Sequence, residues 1–219
     1  ADAYAGYNGL YEADRTPGPI VVGFCWAHAR RKYYEIADLA LQKKLPPSPI
    51  ALEAVRRIDI LFQHERAING RSAGERLAYR REQIAPLVAD LEIWMRAERA
   101  KLTRHAPVAK ALDYQLKRWA AFTQFLDDGR ICLSNNAAER ALRGIAMGRR
   151  AWLFAGSDRG WRRAADMFTL IQTAKLNDVD PQAWLADVLA RIADHPVNRL
   201  HELLPWHWRP RATPIRQAA

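Results

Sequence analysis

The chain has 219 residues, of which 49% are hydrophobic and 26% are charged, and its formal net charge is +10. This length and apolar content exclude a disordered polypeptide and permit one large domain or two small ones. The excess of basic residues makes nucleic acid the expected partner, ahead of an anionic membrane surface. Apolar runs fall short of the roughly 18 residues that a membrane-spanning helix needs, and two cysteines suit a reducing cytoplasm.

The first 44 residues predict a strand, a turn and a helix. Residues 2–11 are typical of a strand end followed by a turn and a short helix, and the β-branched run at 20–24 predicts a buried strand of a mostly parallel sheet. Apolar residues at helical spacing then predict a helix from His28 to about Lys44, which the prolines at 46–49 would end.

Residues 45–127 predict a separate all-helical module of antiparallel helices. Three stretches keep the i, i+3, i+4 spacing of an amphipathic helix. Their apolar positions are Leu52, Val55, Ile58, Leu61 and Phe62, then Ile84, Leu87, Val88, Leu91, Trp94 and Met95, then Val108, Leu112, Leu116, Trp119, Phe122 and Leu126. These stripes predict a packed core rather than a cofactor site, and the Arg- and Glu-rich segment 71–83 is interpreted as a solvated helical face.

Residues 128–177 predict a helix that carries Glu139, an extended stretch at 151–154 and a helix from Gly160 or Trp161 to Lys175. Residues 178–219 predict a helical C-terminal segment with a basic tail. In this segment Asp180 and Pro181 are typical of a helix start. The side chains expected to face inward there are Trp184, Leu185, Val188, Leu189 and Ile192.

Half of the net charge lies between Glu139 and Arg163. Seven arginines and two acids in these 25 residues give +5 of the total +10. One explanation is an i, i+4 salt bridge between Glu139 and Arg143 on a solvated face. The other is a metal-binding carboxylate set among phosphate-binding arginines. Spacing alone leaves both explanations open.

A divalent cation that drives phosphoryl transfer is bound by several carboxylate oxygens. Asp2 and Glu139 are the candidate ligands. Asp2 would end a strand and Glu139 would lie on a later helix, and such elements meet at the carboxyl edge of an α/β sheet. Taken alone, Asp2 is also consistent with a helix cap or an exposed residue.

Cys25 and His28 lack the further ligands that a structural zinc ion requires, so zinc is not favoured. His28 lies where a strand is predicted to give way to a helix, and Arg30 and Arg31 follow it. This position suits a phosphate contact or an acid–base role. Packing of His28 on Trp26 at the start of the helix is the alternative.

Five segments in this order resemble the insertion sequence sixty-six family of bacterial transposases: DAYAGYNGLY, CWAHARRKYYE, LSNNAAERALRGIAMGRRAWLFAGSDRG, TAKLNDVDPQAWLADVLARI and LLPWHW. The resemblance covers nearly the whole chain. It implies an α/β, predominantly helical fold with a partial ribonuclease H-like core, a large all-helical insertion and a small C-terminal segment. It also implies DNA transposition by metal-dependent cleavage and strand transfer. In that chemistry Mg²⁺ or Mn²⁺ ions activate water, then a DNA 3′-hydroxyl, for in-line attack.

The resemblance assigns roles to residues and segments. Asp2 matches the second Asp of an Asp-Asp-Glu triad and Glu139 matches its Glu, so both are expected to be catalytic and to bind metal. His28, in a Cys-x-x-His signature with Cys25, is a further candidate catalytic residue. Residues 1–44 and 128–177 match the core, 45–127 the insertion and 178–219 the C-terminal segment. The expected DNA-binding residues are Arg30, Arg31, Asn135, Asn136, Arg140, Arg143, Arg149 and Arg150.

The first Asp of the triad and the first strands of the sheet have no counterpart in this chain. We therefore expect a piece of a longer protein that is inactive alone and destabilised by an uncovered strand edge. The alternatives are a DNA-binding module without catalysis, such as a transposition inhibitor, and a helical scaffold whose basicity is incidental. Expected partners are DNA at the element's terminal inverted repeats and target, further copies of the chain in a homo-oligomer on that DNA, and helper proteins of the same element. No membrane is expected, and the expected location is the cytoplasm, in association with the nucleoid.

Overall fold

The computed structural model describes residues 5–151 and 155–209, with the side chains of all of these except Ala5 and Arg149. Helices contain 71% of this part of the chain, which holds no strand, so the expectation of a predominantly helical protein is confirmed. The chain divides into two compact units, Ala1–Ala137 and Ala138–Ala219.

Nine α-helices lie in the described residues: α1 (Trp26–Gln42), α2 (Pro49–Ala67), α3 (Ala73–Tyr79), α4 (Ala85–Ala100), α5 (Pro107–Leu116), α6 (Trp119–Thr123), α7 (Asn136–Ala151), α8 (Asp158–Leu176) and α9 (Pro181–Arg191). A π-helical turn, Arg80–Ile84, joins α3 to α4, and 3-10 turns span Ala5–Leu10, Gln124–Leu126, Ile192–Asp194 and Val197–Leu203. The helix starts have local causes. The Ser48 hydroxyl accepts a hydrogen bond from the Ala51 N–H at the start of α2, and a reciprocal Ser72–Glu75 capping box starts α3.

Trp26 lies at the centre of the first unit and is fully buried. Its ring packs edge-on against Trp119, Phe122 and Phe125, with centroids 5.8, 5.5 and 6.3 Å away. Its indole N–H donates to the Phe122 carbonyl oxygen at 2.9 Å, so the one polar atom of the ring is satisfied. Trp26 belongs to α1, whereas Phe122 and Phe125 belong to α6 and to the 3-10 turn that follows it. The Trp26 side chain therefore packs α1 against the helical segment 45–127.

The helical periodicities predicted for residues 45–127 are confirmed, except that Leu52 of α2 is 46% exposed and lies outside the buried stripe. The buried stripes include Ile58 and Leu61 of α2, Val88, Leu91 and Met95 of α4, and Val108 and Leu112 of α5. The third predicted helix is wrong in its length, because Arg118 takes φ −126° and ψ 21°, outside the helical region, and separates α5 from α6.

The prediction of a buried strand at residues 20–24 is wrong. Ile20 and Val21 are 45% and 72% exposed. A strand needs a neighbouring strand for its backbone hydrogen bonds, and this segment has none in the described part of the chain. The N–H of Ile20 donates to Leu10 O and that of Phe24 to Ala121 O, each at 2.9 Å, so its partners are a 3-10 turn and helix α6.

The interpretation of residues 71–83 as a solvated face is wrong for Arg80, which is fully buried. Its Nε and Nη2 donate to the two carboxylate oxygens of Glu65 at 2.7 and 2.8 Å. Its Nη1 donates to the carbonyl oxygens of Phe125 at 3.0 Å and Asp128 at 3.4 Å. An isolated buried charge is very unfavourable, and this one is compensated by a paired carboxylate.

The second unit has a small core of Trp184, Val188, Leu203 and Trp208. The Trp184 indole N–H donates to Leu203 O at 2.8 Å. Asp180 caps α9 by accepting from the backbone of the second and third residues of the helix, which confirms the predicted start at Pro181. The prediction that Leu189 and Ile192 face inward is wrong, since they are 66% and 46% exposed. A core of this size covers only a narrow stripe of the helix, and both lie outside it.

Helix α8 begins at Asp158, before the predicted Gly160, because the Ser157 hydroxyl accepts from the Gly160 N–H at 3.2 Å. In the stretch predicted as extended, Ala151 is the last residue of α7, and residues 152–154 lie outside the described residues.

Candidate functional site

Glu139 lies in the first turn of α7, and its side chain is exposed. The helix begins at Asn136, so Asn135 occupies the position immediately before the first helical residue. The Asn135 side-chain oxygen is buried, and it accepts no hydrogen bond from the described residues. A carboxylate in the first helical turn also lies close to the positive end of the helix dipole.

One face of α7 carries five of the predicted site residues. At 100° per residue, an arc of about 100° holds Asn136, Glu139, Arg140, Arg143 and Arg150, all of them exposed. The half-buried residues of the helix, Ala141, Ile145 and Gly148, lie on the opposite side. The helix therefore presents one carboxylate, one amide and three guanidinium groups along the same solvent-facing strip.

Helix α8 adds a second group of exposed arginines, at 159, 162 and 163, in its first two turns. It contacts α7 through Gly144, because a Cβ atom at that glycine would lie 3.2 Å from the Phe168 ring. Both helices of this contact carry exposed arginines, so the predicted concentration of positive charge is at the surface of the second unit.

The structure places the α1 residues differently from one another. Arg31 is exposed, and His28 is half-buried in the first turn. Arg30 forms a bidentate pair with Asp59 of α2, with Nε–Oδ1 and Nη2–Oδ2 distances of 2.6 and 2.8 Å. The hydrogen bond to Asp59 raises the pKa of the Arg30 guanidinium above its ordinary value. This pairing orients Arg30 and neutralises part of its charge.

Two predicted site residues cannot be placed. Asp2 lies outside the described residues, and the side chain of Arg149 is not described. Cys25 is buried immediately before α1, whereas Cys132 is exposed. Within residues 5–151 and 155–209, no three His, Cys, Asp or Glu side chains form a group that could hold a metal ion. None of the helices described is long and apolar enough to cross a membrane.

Sequence reasoning missed the groups that fix the segment leading to α7. Arg80 donates to the carbonyls of Phe125 and Asp128, as above, and Arg76 Nη2 donates to Ile131 O at 3.4 Å. The backbone N–H of Trp26 donates to Leu133 O at 3.0 Å. The partners are far apart along the chain, and the one local signal was a pair of arginines, at 76 and 80, one helical turn apart.

Comparison with known proteins gives two family matches and several relatives. A family model described as Transposase IS66 family matches residues 1–163, and one described as IS66 C-terminal element matches residues 169–206. Three relatives are named as uncharacterized proteins of Sinorhizobium fredii. y4hP is 58% identical over 95% of this chain and 39% of its own length. y4jD is 36% identical over 100% of this chain and 42% of its own length. y4qI is 37% identical over 96% of this chain and 39% of its own length.

The chain thus spans about two fifths of the length of the curated relatives it matches. No solved structure matches it.

Proposed function

This chain belongs to the IS66 family of transposases, and we propose that it is part of an enzyme that moves DNA by metal-dependent cleavage and strand transfer. The observation that carries the proposal is the pair of family matches, which together cover residues 1–163 and 169–206. The exposed arginine face of α7, which also bears Glu139, agrees with it, because DNA chemistry needs cations for the phosphates beside a carboxylate for the metal.

The finer architecture is part of the same proposal. Residues 1–44 and 128–177 belong to a ribonuclease H-like core, which residues 45–127 interrupt as an all-helical insertion. Residues 178–219 form the C-terminal segment, and the match to the IS66 C-terminal element at 169–206 supports this division.

Asp2 and Glu139 are the proposed metal ligands and catalytic carboxylates. Glu139 and Asn136 present hard oxygen atoms on one exposed helix face, the donor chemistry that Mg²⁺ or Mn²⁺ takes. Sharing of an ion with Asp2 rests on the family's Asp-Asp-Glu pattern. Such an ion, when bound, activates water or a DNA 3′-hydroxyl for attack on phosphorus. His28 would contact a phosphate or move a proton.

The proposed DNA contacts divide by what the structure shows of each residue. Arg140, Arg143 and Arg150 line the α7 face with their side chains exposed, and Arg31 is exposed on α1. Arg30 would contribute less charge, because Asp59 already pairs with it. The remaining residues keep the role that the family pattern gives them: Asn135, Asn136 and Arg149.

The partners of the chain are a further part of the proposal. We propose that the complete protein acts as a homo-oligomer on the element's terminal inverted repeats and target, with helper proteins of the same element, in association with the nucleoid. Residues 1–219 alone are inactive, because the first Asp of the triad has no counterpart among them.

The first test measures binding of a blunt DNA duplex by fluorescence anisotropy over a range of salt concentrations. Replacement of Arg143 and Arg150 by Ala removes two exposed cations from the α7 face. We expect several-fold weaker binding near 0.15 M salt. Since each phosphate contact contributes about 0.9 to the slope of log K against log salt, the slope should fall by about 1.8.

The control is a double variant with the same loss of charge, Arg96→Ala with Arg130→Ala. These side chains are 59% and 82% exposed and lie in the first unit. It should bind the duplex within about twofold of the wild type, since no phosphate contact is lost. Equal weakening by the two double variants would mean that net charge, and not the α7 face, governs binding.

The second test measures Mn²⁺ binding to the DNA-bound chain by electron paramagnetic resonance. Changes in groups that merely support metal ligands weaken metal binding by about 10- to 100-fold, so Asp2→Asn and Glu139→Gln should each weaken it by at least about tenfold. Glu82→Gln, an exposed carboxylate of the first unit, serves as the control and should have no effect.

Equal Mn²⁺ binding by the wild type and both variants would remove these residues from the metal site. If DNA binding persisted in that case, the chain would be better described as a DNA-binding module without catalysis.

A further inference from the structure

A groove of about 330 Å³ lies between α1 and α5 of the first unit, outside the site proposed above. We call it the α1–α5 groove. Its apolar lining includes Ile36 and Leu39 of α1 and Ala111 of α5, and lysines from both helices, Lys32 and Lys110, line it as well. Leu39 is 52% exposed, so the groove offers apolar surface to a ligand from solvent.

Tyr114 holds two cations beside this groove. Lys32 Nζ lies 4.4 Å from the centroid of the Tyr114 ring, and the Arg118 guanidinium carbon lies 5.3 Å from it. A cation above an aromatic face is attracted by the ring, which restrains an otherwise flexible side chain. The two cations are therefore partly ordered before any ligand arrives.

The charges along the groove are unbalanced. Lys110 and Tyr114 lie one turn apart on α5, about 6 Å along the helix at 1.5 Å per residue. Among the described residues that line the groove, Glu35 is the one acid. Asp113, the acid beside Tyr114 in the sequence, pairs with Arg99 through contacts of 2.8 and 3.1 Å. Two lysines and one carboxylate thus line the groove, and Arg118 adds a third cation beside Tyr114.

We call the apolar lining residues Ile36, Leu39 and Ala111 the floor of the groove, and Lys32 and Lys110 its rim. Together the floor and the rim favour one class of DNA ligand over another. A closed duplex offers phosphates but hides the faces of its bases, so it would use the rim and leave the floor empty. An unpaired nucleotide can use both, with its base against apolar or aromatic side chains and its phosphates on the cations. A volume of 330 Å³ is at the lower end of ligand pockets, which suits a single nucleotide.

We infer that the α1–α5 groove binds an unpaired nucleotide of a DNA strand. This inference rests on the proposed function, because it takes DNA as the ligand of the chain. It goes beyond that function by assigning a single-strand site to the helical first unit, apart from the arginine face of α7.

The test compares fluorescein-labelled oligo(dT) with a blunt duplex, by anisotropy near 0.1 M salt. Leu39→Glu places an acid on the groove floor, and Leu41→Glu makes the same change at a 58% exposed position of α1 outside the groove. We expect Leu39→Glu to weaken oligo(dT) binding by about tenfold through loss of the base contact, with Leu41→Glu within about twofold of the wild type. Duplex binding should be equal in the two variants.

A second pair of variants addresses the cationic rim. Lys32→Ala with Lys110→Ala should lower the oligo(dT) salt slope by about 1.4, since each contact to a single strand contributes about 0.7. Lys43→Ala with Lys101→Ala removes the same charge from exposed positions outside the groove and should leave the slope unchanged.

Equal oligo(dT) binding by Leu39→Glu and Leu41→Glu would overturn the inference. The inference would also be overturned if poly-glutamate displaced oligo(dT) and bound Leu39→Glu and Leu41→Glu equally. The groove would then bind anions in general. If duplex binding kept its dependence on Arg143 and Arg150 in either case, the proposed function would stand and only this site would fall. Absence of binding to both DNAs would instead defeat the proposed function.

Discussion

At the scale of single residues, Glu65 and Arg80 show how one buried pair can hold a distant segment. Arg80 is fully buried and Glu65 is 8% exposed, so the pair lies almost entirely away from water. The guanidinium carbon is also 5.3 Å from the Phe125 ring centroid, next to the carbonyls that the same group binds. The pair therefore links α2, the π-helical turn and residues 125–128.

Glu65→Gln should lower the free energy of unfolding by about 3–5 kcal/mol, because it leaves the buried Arg80 charge without a carboxylate. Equilibrium unfolding in urea measures this change. Glu92→Gln is the control, since Glu92 pairs with Arg96 on the surface, and such pairs contribute about 0–1 kcal/mol. Similar losses in the two variants would show that the Glu65–Arg80 pair is no more important than a surface ion pair.

Residue-level prediction succeeded where local spacing carries the information. The solvent exposure expected of the α7 arginines follows from helical periodicity over a few residues. The burial of Arg80 could not be predicted in this way, because its carboxylate is 15 residues away on another helix. Its sequence neighbours, rich in Arg and Glu, indicated a solvated face.

At the scale of elements, Gly129 fixes the approach of a loop to the start of α3. A Cβ atom at this position would lie 1.8 Å from the carbonyl oxygen of Ala73 and 2.7 Å from its carbonyl carbon. Both contacts are with backbone, which cannot rotate away as a side chain can. The loop after residue 128 can thus lie against α3 only if residue 129 has no side chain.

Gly129→Ala should destabilise the protein by about 1–3 kcal/mol, the usual range for an added methyl group that forces the backbone to shift. Gly74→Ala is the matched control inside α3, where the new Cβ would meet nothing within 4 Å. It should stabilise the protein by up to about 1 kcal/mol, through the higher helix propensity of Ala. Equilibrium unfolding in urea gives the sign of the change in the free energy of unfolding for each variant. A Gly129→Ala variant as stable as the wild type would contradict the close approach of Gly129 to the Ala73 backbone.

Element prediction followed the same division between local and distant causes. The apolar stripes of α2, α4 and α5 gave both the helices and their buried sides. The β-branched run at residues 20–24 suggested a strand, but strand formation depends on a partner that local sequence does not specify. The inward stripe of α9 was drawn too wide, since Leu189 fits the helical period yet lies outside the small core around Trp184 and Val188.

At the scale of the whole molecule, composition suggested a boundary near residue 45, whereas packing joins the two sides of it. Trp26, Ala29 and Tyr33 of α1 share one buried core with Ile58, Leu91 and Leu112. The Tyr33 hydroxyl donates to Gln115 Oε1 at 3.0 Å, and burial raises the pKa of that hydroxyl. Residues on both sides of position 45 therefore contribute to one buried core.

The position of Trp26 has a consequence for shortened genes. A reading frame that joined codon 44 directly to codon 128 would encode α1 without the rings that surround its indole or the carbonyl that accepts its N–H. The apolar side of α1 would then be exposed to water, and the shortened protein would be prone to aggregation and proteolysis. The helices of residues 45–127 therefore cannot be deleted without loss of structure, because the N-terminal part of the chain depends on them to remain folded.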